Sequence, residues 1–363
     1  MNLIPFFSTA RQHALLADEL GLATIRVLLS NNYILGPELL AFEQAWTQFC
    51  GVKYAIGVAN GTDAITIALM ACDVGVGDEV ITAVNTSPYT ALAIAAAGAT
   101  PVFVDIVKGQ YSLDVAALTS VYTPRTKAIV PVHLYGQPAD IQAVLSFAQV
   151  HSLRVIEDAC QAHGARVNGQ RVGSFGDLGA FSFYPTKNLG ALGDAGAITT
   201  NSLQLADRIK VLRNYGSEVR YYNEVVGVNS RLDELQAALL LVKLKYMEQI
   251  TTHKRELANI YLKELKSDFI KPQVNSDYFD VYHIFNIRHP KRDALREYLL
   301  KNEIKTEIHY PVAPNKQKAM KGIIDNQITP IAEEIHQTTL SLPISFFHTK
   351  ETIYKIVETM NSF

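Results

Sequence analysis

Residues 54–71 read Tyr54-Ala55-Ile56-Gly57-Val58-Ala59-Asn60-Gly61-Thr62-Asp63-Ala64-Ile65-Thr66-Ile67-Ala68-Leu69-Met70-Ala71. The first six form a short apolar run that predicts a strand. Asn60-Gly61 interrupts it, and residues 62–71 continue as a segment that predicts a helix. The same alternation runs downstream: strand 79–84, helix 90–97, strands 102–104 and 128–132, helix 141–151, strand 154–157, then strands 178–184 and 196–199. Strands alternating with helices predict a largely parallel sheet covered on both faces and joined by right-handed crossovers. Upstream, residues 38–49 place apolar groups at helical spacing.

Toward the other end, Ser230 and Asp233 have capping-box spacing ahead of a long helix. Leu232, Leu235, Leu239, Val242 and Tyr246 give that helix one apolar face. After Met247 the texture becomes a Lys/Glu-rich helix, Pro272, and shorter strands at 281–287 and 305–309. The expected architecture is therefore α/β: a larger unit over 1–249, including an N-terminal arm, and a smaller α/β unit over 250–363.

The chain has 363 residues, of which 48% are hydrophobic and 19% charged, a globular composition that excludes a disordered or fibrous chain. Lys+Arg 33 against Asp+Glu 35 leaves a net charge of -2, so no global field attracts nucleic acid and an anionic ligand needs a local group of donors. No apolar stretch approaches the roughly 20 residues that span a bilayer. No basic segment precedes the short apolar run at the start, so neither membrane nor export is expected and the reading is cytoplasmic. Cys50, Cys72 and Cys160 are odd in number and far apart, which fits neither a disulfide framework nor a metal site.

Three segments could carry chemistry. Asn60-Gly61-Thr62-Asp63-Ala64 opens a predicted helix after a strand. Unpaired N–H groups and the helix dipole suit a phosphate there, although an ordinary strand–turn–helix with an N-cap has the same pattern. Asp158, in Glu157-Asp158-Ala159-Cys160-Gln161-Ala162-His163-Gly164-Ala165, ends a strand at the sheet edge where open α/β sheets bind ligands. It could pair a protonated ring nitrogen or simply cap a helix. In Ser182-Phe183-Tyr184-Pro185-Thr186-Lys187-Asn188-Leu189-Gly190, Lys187 follows an aromatic strand among Pro, Gly and apolar residues. A desolvated amine there becomes nucleophilic, whereas a solvated lysine would be a plain surface charge. Together, a phosphate cradle, a strand-end carboxylate and a loop amine are the three anchors of a pyridoxal 5'-phosphate site.

These motifs, with Gly173-Ser174-Phe175-Gly176-Asp177, Arg213-Asn214-Tyr215-Gly216, residues 227–238 and Ile308-His309-Tyr310-Pro311, resemble the DegT/DnrJ-type nucleotide-sugar aminotransferases over nearly the whole chain. The resemblance implies the aspartate-aminotransferase fold (fold type I). It implies that Lys187 is the catalytic Schiff-base lysine and moves the 1,3-proton. Asp158 would pair the pyridine N–H, Gln161 would contact the phenolate oxygen, and Gly61, Thr62 and Ser182 would hold the phosphate. Asn229 would reach the phosphate of a neighbouring subunit, making a homodimer with shared active sites. Relatives carry a ring-stacking aromatic residue where this chain has Ser87, so Tyr89 is the candidate for that role. A second departure is Asn315, where related sequences often have His.

Retention of Lys187 implies transamination, because a dehydratase branch of the family has His at that position. L-Glutamate would leave its nitrogen as pyridoxamine phosphate, and the amine would then attack a keto carbon of a nucleotide-linked sugar with ping-pong kinetics. The 308–311 segment and the 220–224 loop most resemble members that aminate C3 of a dTDP-3-keto-6-deoxyhexose, for lipopolysaccharide or other glycans. The alternatives are C4 of a UDP-linked 4-keto sugar, or a regulatory protein that carries the cofactor without turnover. Arg213, Arg220, Arg231 and Lys305 are candidates for the glutamate carboxylate or the sugar's pyrophosphate, and Tyr184, His309 and Tyr310 for sugar hydroxyls.

Overall fold

The computed structural model describes residues 3–107, 109–324 and 327–363. Its helices are α1 (Ala10–Leu15), α2 (Ala17–Ser30), α3 (Pro37–Cys50), α4 (Gly61–Ala71), α5 (Pro88–Ala96), α6 (Leu118–Val121), α7 (Ile141–His151), α8 (Leu203–Leu212), α9 (Glu234–Leu244), α10 (Met247–Glu264), α11 (Arg292–Lys301), α12 (Pro330–Thr338) and α13 (Lys350–Asn361). Its strands are β1 (Tyr54–Val58), β2 (Glu79–Ala83), β3 (Thr100–Val104), β4 (Thr126–Val130), β5 (Arg154–Asp158), β6 (Arg166–Val167), β7 (Gln170–Arg171), β8 (Leu178–Ser182), β9 (Gly196–Thr200), β10 (Ser217–Val219), β11 (Tyr222–Asn223), β12 (Tyr278–Phe279), β13 (Phe285–Arg288) and β14 (Thr339–Leu342).

The central sheet has the order β1-β9-β8-β5-β4-β2-β3. β9 runs antiparallel to both its neighbours, and the other pairings are parallel. Alternate residues of each strand enter opposite cores, as the two-residue period requires. Ile56, Val80, Val130, Ile156 and Ile198 pack with α4, α5 and α8. Ala55, Ile81, Ile129, Val155 and Phe181 pack with α3 and α7. The mixed, mostly parallel sheet clothed on both faces is the expected α/β architecture.

A further apolar cluster is built from Leu257 and Tyr261 of α10, Phe285, Leu295, Leu340 and Ile356, with Ile4 of the N-terminal arm added to it. Ile4 bridges Ile304, so the arm sits on the later part of the chain.

The structure corrects the expected helix start at Ser230. The helix begins at Glu234, and the Ser230 hydroxyl instead accepts the Ala59 N–H at 3.0 Å. Asp233 makes no side-chain cap. Glu234 folds back and accepts the N–H groups of Gly36, Glu38 and Leu39, each at 2.9 Å, which satisfies the orphan donors of α3. The expected strand over 305–309 reduces to a single bridge, Glu307 to Ser341.

Candidate active site

The parallel strands deliver their C-terminal ends to one edge, and the chemistry-bearing residues collect there. β1 leads through Ala59 to Asn60, whose side chain accepts the Asp63 N–H at 2.8 Å and caps α4. That bond leaves the N–H groups of Gly61 and Thr62 without a partner among the described residues. A Cβ at Gly61 would lie 2.5 Å from Ser182 Cβ and 2.9 Å from Cys160 Sγ, so only glycine lets the α4 N-terminus sit this close to β8.

β5 ends at Asp158, which is 6% exposed. Its Oδ2 accepts the Thr90 hydroxyl at 2.7 Å, and its Oδ1 accepts the Cys160 N–H at 3.2 Å. Thr90 was not singled out in the sequence. Pro88 starts α5 and sets its phase, turning Thr90 inward and leaving Tyr89 59% exposed. Ser87, at the N-cap, lies beside the Tyr310 hydroxyl.

β8 leads through Phe183 into the turn that carries Lys187. The turn is closed by Lys187 N–H to Tyr184 O at 2.8 Å and Ala191 N–H to Phe183 O at 2.7 Å. Burial pushes the Lys187 ammonium below lysine's ordinary range, while Cys160 and Asp158 act in the opposite sense. Burial holds the Cys160 thiol far above its usual range, so it stays protonated, and Asp158 is the charge that balances the amine.

Gln161 is fixed at both ends: its Oε1 accepts the Tyr135 N–H at 2.8 Å, and its Nε2 donates to the Tyr310 hydroxyl at 2.9 Å. Tyr135 has φ of 60°, a left-handed backbone that a tyrosine rarely adopts, and its hydroxyl donates to the His309 carbonyl. Tyr135 is the second participant that sequence reading missed; nothing in its local pattern announces the turn. His309 Nδ1 meets Ser341 Oγ at 3.0 Å, and burial beside Lys187 lowers its pKa to about 4, so it is neutral at physiological pH.

Glu157 and His163 have structural surroundings. The Glu157 carboxylate accepts the N–H groups of Gly173, Phe175 and Gly176 at 2.7–2.9 Å and meets His133 Nε2 at 3.0 Å. His133 Nδ1 accepts the Ala139 N–H at 2.9 Å, which places the ring proton on Nε2, facing Glu157. The His163 ring lies flat against Phe181 and Phe183, with centroids at 5.9 and 5.4 Å, and burial lowers its pKa to about 3.

The basic candidates are not brought into this cluster. The structure corrects Arg213: it is 7% exposed, and its Nη1 donates to Glu43 Oε1 and to the Gly57 carbonyl, each at 2.7 Å. Its guanidinium ties α8 to α3 and β1 and is spent on protein partners. Arg231 donates to Asn214 Oδ1 at 3.0 Å and covers the Tyr215 ring. Arg220 lies over Tyr221 at the exposed tip of the β10–β11 hairpin. Lys305 and Asn229 are exposed, and Tyr184 is 52% exposed. Asn315, the second departure, donates to Thr329 Oγ1 at 3.2 Å, and its own Oδ1 is buried without a partner among the described residues.

The residues fit the cofactor named from the sequence. The α4 tip offers two free N–H groups beside a serine, Asp158 offers a buried carboxylate, and Lys187 offers a half-buried amine of lowered proton affinity. The model of the DegT/DnrJ/EryC1/StrS aminotransferase family matches residues 16–361. The chain belongs to that family. It is 48% identical over 362 residues, 99% of both chains, to a dTDP-3-amino-3,6-dideoxy-alpha-D-galactopyranose transaminase of Aneurinibacillus thermoaerophilus. The structure of S. venezuelae DesV superposes with a TM-score of 0.97 at 40% identity, covering 100% of this chain and 98% of that one. NtdA of Bacillus subtilis, solved with bound cofactor PMP, superposes at 0.93 with 30% identity, covering 99% and 85%. This member of the family is an aminotransferase of the type I fold and uses pyridoxal phosphate.

Proposed function

We propose that the enzyme moves the amino group of L-glutamate to C3 of a dTDP-linked 3-keto-6-deoxyhexose, working as a homodimer. The single observation that carries the reaction class is the half-buried Lys187 close enough to feel the buried Asp158 carboxylate, at the strand-end edge that also holds the free α4 tip. The sugar position rests on the relative from A. thermoaerophilus, whose name places the amine at C3 and which aligns end to end with this chain.

When bound, pyridoxal phosphate supplies the electron sink that lets a C–H bond beside nitrogen break. The chain's own residues do the rest. The N–H groups of Gly61 and Thr62, with Ser182, bind the phosphate. Asp158, held by Thr90 and the Cys160 N–H, keeps a proton on the ring nitrogen. Gln161, fixed by Tyr135 and Tyr310, orients toward the ring oxygen. Lys187 Nζ takes a proton from one carbon and returns it to another, which its lowered proton affinity favours. Tyr89 at the mouth is our candidate for covering the ring face, and His309, Tyr310 and Tyr184 for meeting the sugar. Arg231 donates to Asn214, which the exposed Asn229 bridges, and that surface is our candidate for the face a second copy would cover.

The test is a panel of 3-keto and 4-keto nucleotide sugars, each incubated with enzyme and glutamate, with the aminated carbon read by NMR. The expected product carries nitrogen at C3 of a dTDP sugar. Amination at C4, or of UDP sugars alone, would overturn the substrate assignment. A protein that takes up the cofactor yet turns over no member of the panel would return the regulatory alternative.

A further inference from the structure

Two lysines that the chemistry above does not use lie inside the protein. Lys243 of α9 is 1% exposed and Lys254 of α10 is 2% exposed. Among the described residues, neither ammonium is paired with a carboxylate. An uncompensated buried charge is costly, so two of them near one loop call for an explanation.

Both reach the same turn. Lys254 Nζ donates to Asn188 Oδ1 at 2.8 Å and to the His283 carbonyl at 3.1 Å. Asn188, the residue after Lys187, donates in turn to the Val281 carbonyl at 3.0 Å. Lys243 Nζ donates to the Gly190 carbonyl at 2.8 Å and stands 3.2 Å from His13 Nε2. At Gly190 the chain doubles back so tightly that a Cβ would lie 2.4 Å from the Pro185 carbonyl oxygen. The turn is thus gripped one residue after Lys187 and again at its far end.

We propose that Lys254, acting through Asn188, is a positioning residue for Lys187, with Lys243 fixing the other end of the turn. The proposal rests on Lys187 being the cofactor lysine. α10 contributes Leu257, Ala258 and Tyr261 to the later apolar cluster, so Lys254 ties the Lys187 turn to that body of the protein. The charged and titratable groups that feel Lys254 are His163, His283 and His348, and the first two also feel Lys187. A neutral amine and an ammonium both donate to Asn188, so the grip survives either protonation state.

The test compares holoenzyme variants Lys254→Met, which keeps the stem and removes the donors, Asn188→Leu, and the double variant. Four quantities are read: kcat, KM for both substrates, the pH midpoint of the bound cofactor's absorbance, and Tm. Lys254→Met is expected to lower kcat by about tenfold or more while KM stays within about twofold, as misplacement of a reacting group does. The absorbance midpoint shifts, Tm holds or rises because a costly buried amine is gone, and Asn188→Leu reproduces the changes in kcat and midpoint. The double variant is no worse than the worse single one, since both act through one link. Wild-type kcat and midpoint in Lys254→Met, or additive losses in the double variant, would overturn the proposal. So would a fall in Tm with an unmoved midpoint. If Lys254→Met does not fold, Asn188→Leu carries the same readouts. Borohydride attachment of the cofactor at Lys187 is checked in each variant, so a wrong cofactor lysine is distinguished from a wrong positioning role.

Discussion

Lys187 and Asp158 divide the work of holding charge. Burial disfavours the ammonium, and the carboxylate nearby restores part of the loss, leaving an amine that can give up its proton without leaving the site. Lys187→Ala is therefore expected to abolish transamination while the α4 tip and Asp158 still bind the cofactor noncovalently. Borohydride followed by peptide mass analysis checks this, and sustained turnover in the variant would refute the role. Thr90 donates one of the two hydrogen bonds described on Asp158. A hydrogen bond to a charged group contributes about 1.5–3 kcal/mol, so Thr90→Val is expected to cut kcat/KM by roughly 10- to 100-fold. A kinetic comparison with Thr90→Ser, which keeps the hydroxyl, separates that bond from packing. The placement of Asp158 at a strand end and of Lys187 on the turn after an aromatic strand was legible in the sequence, because the strand runs and the Pro and Gly around them mark both positions. Thr90 was not, because a threonine in a helix of small residues reads as filler until Pro88 fixes which way it points.

Elements were legible where one residue dominates, and were misjudged where a side chain crosses the molecule. Pro88, Gly61 and the strand runs place α4, α5 and the sheet. Ser230 reads as a cap locally, yet the deciding contact is Glu234 reaching back nearly two hundred residues to the start of α3. Glu157 has the same character. It accepts three backbone N–H groups of the 173–176 loop and faces His133, so it pins that loop against β5. Removing its charge leaves those donors poorly satisfied in a dry site. Glu157→Gln is expected to destabilise the fold by about 3 kcal/mol, read as a lower denaturant midpoint with an unchanged slope. Lys254 predicts the pH dependence. Burial brings it down to about 7 from an ordinary 10.5, so between those values the unfolded chain binds a proton that the folded one does not. Its contribution makes stability rise with pH across that window. Lys243, lowered to about 8, adds to the same slope above that pH. Denaturant titrations between roughly pH 7 and pH 10 should show a shallower rise in Lys254→Met than in wild type, and equal slopes would contradict the lowered proton affinity.

Helices α2 and α3 leave several large apolar side chains exposed on the single chain. Leu22, Ile25, Leu28 and Leu29 of α2 and Leu40 of α3 are 53–77% exposed, and Tyr221 and Tyr222 project from the hairpin. Such a patch marks an association surface. Asn229, exposed and bridged to Asn214 beside that hairpin, has no role within its own chain's cluster. Nothing in one sequence shows a residue completing a neighbour's site; here only the resemblance pointed to it. A complementation experiment decides the matter. Lys187→Ala removes the amine of one site, and Asn229→Asp sets a carboxylate against the phosphate of whichever site Asn229 serves. If Asn229 acts across a twofold interface, a mixed dimer concentrates both defects in one site and leaves the other wholly wild type. Random mixing then makes half the dimers mixed, each with one of two sites working, so two inactive proteins refolded together recover roughly a quarter of wild-type activity. If Asn229 serves its own chain, each site of the mixed dimer keeps one defect and no activity returns. Size-exclusion of wild type and of each variant before mixing tests whether each forms a dimer. Absence of recovery from confirmed mixed dimers would remove Asn229 from the shared site.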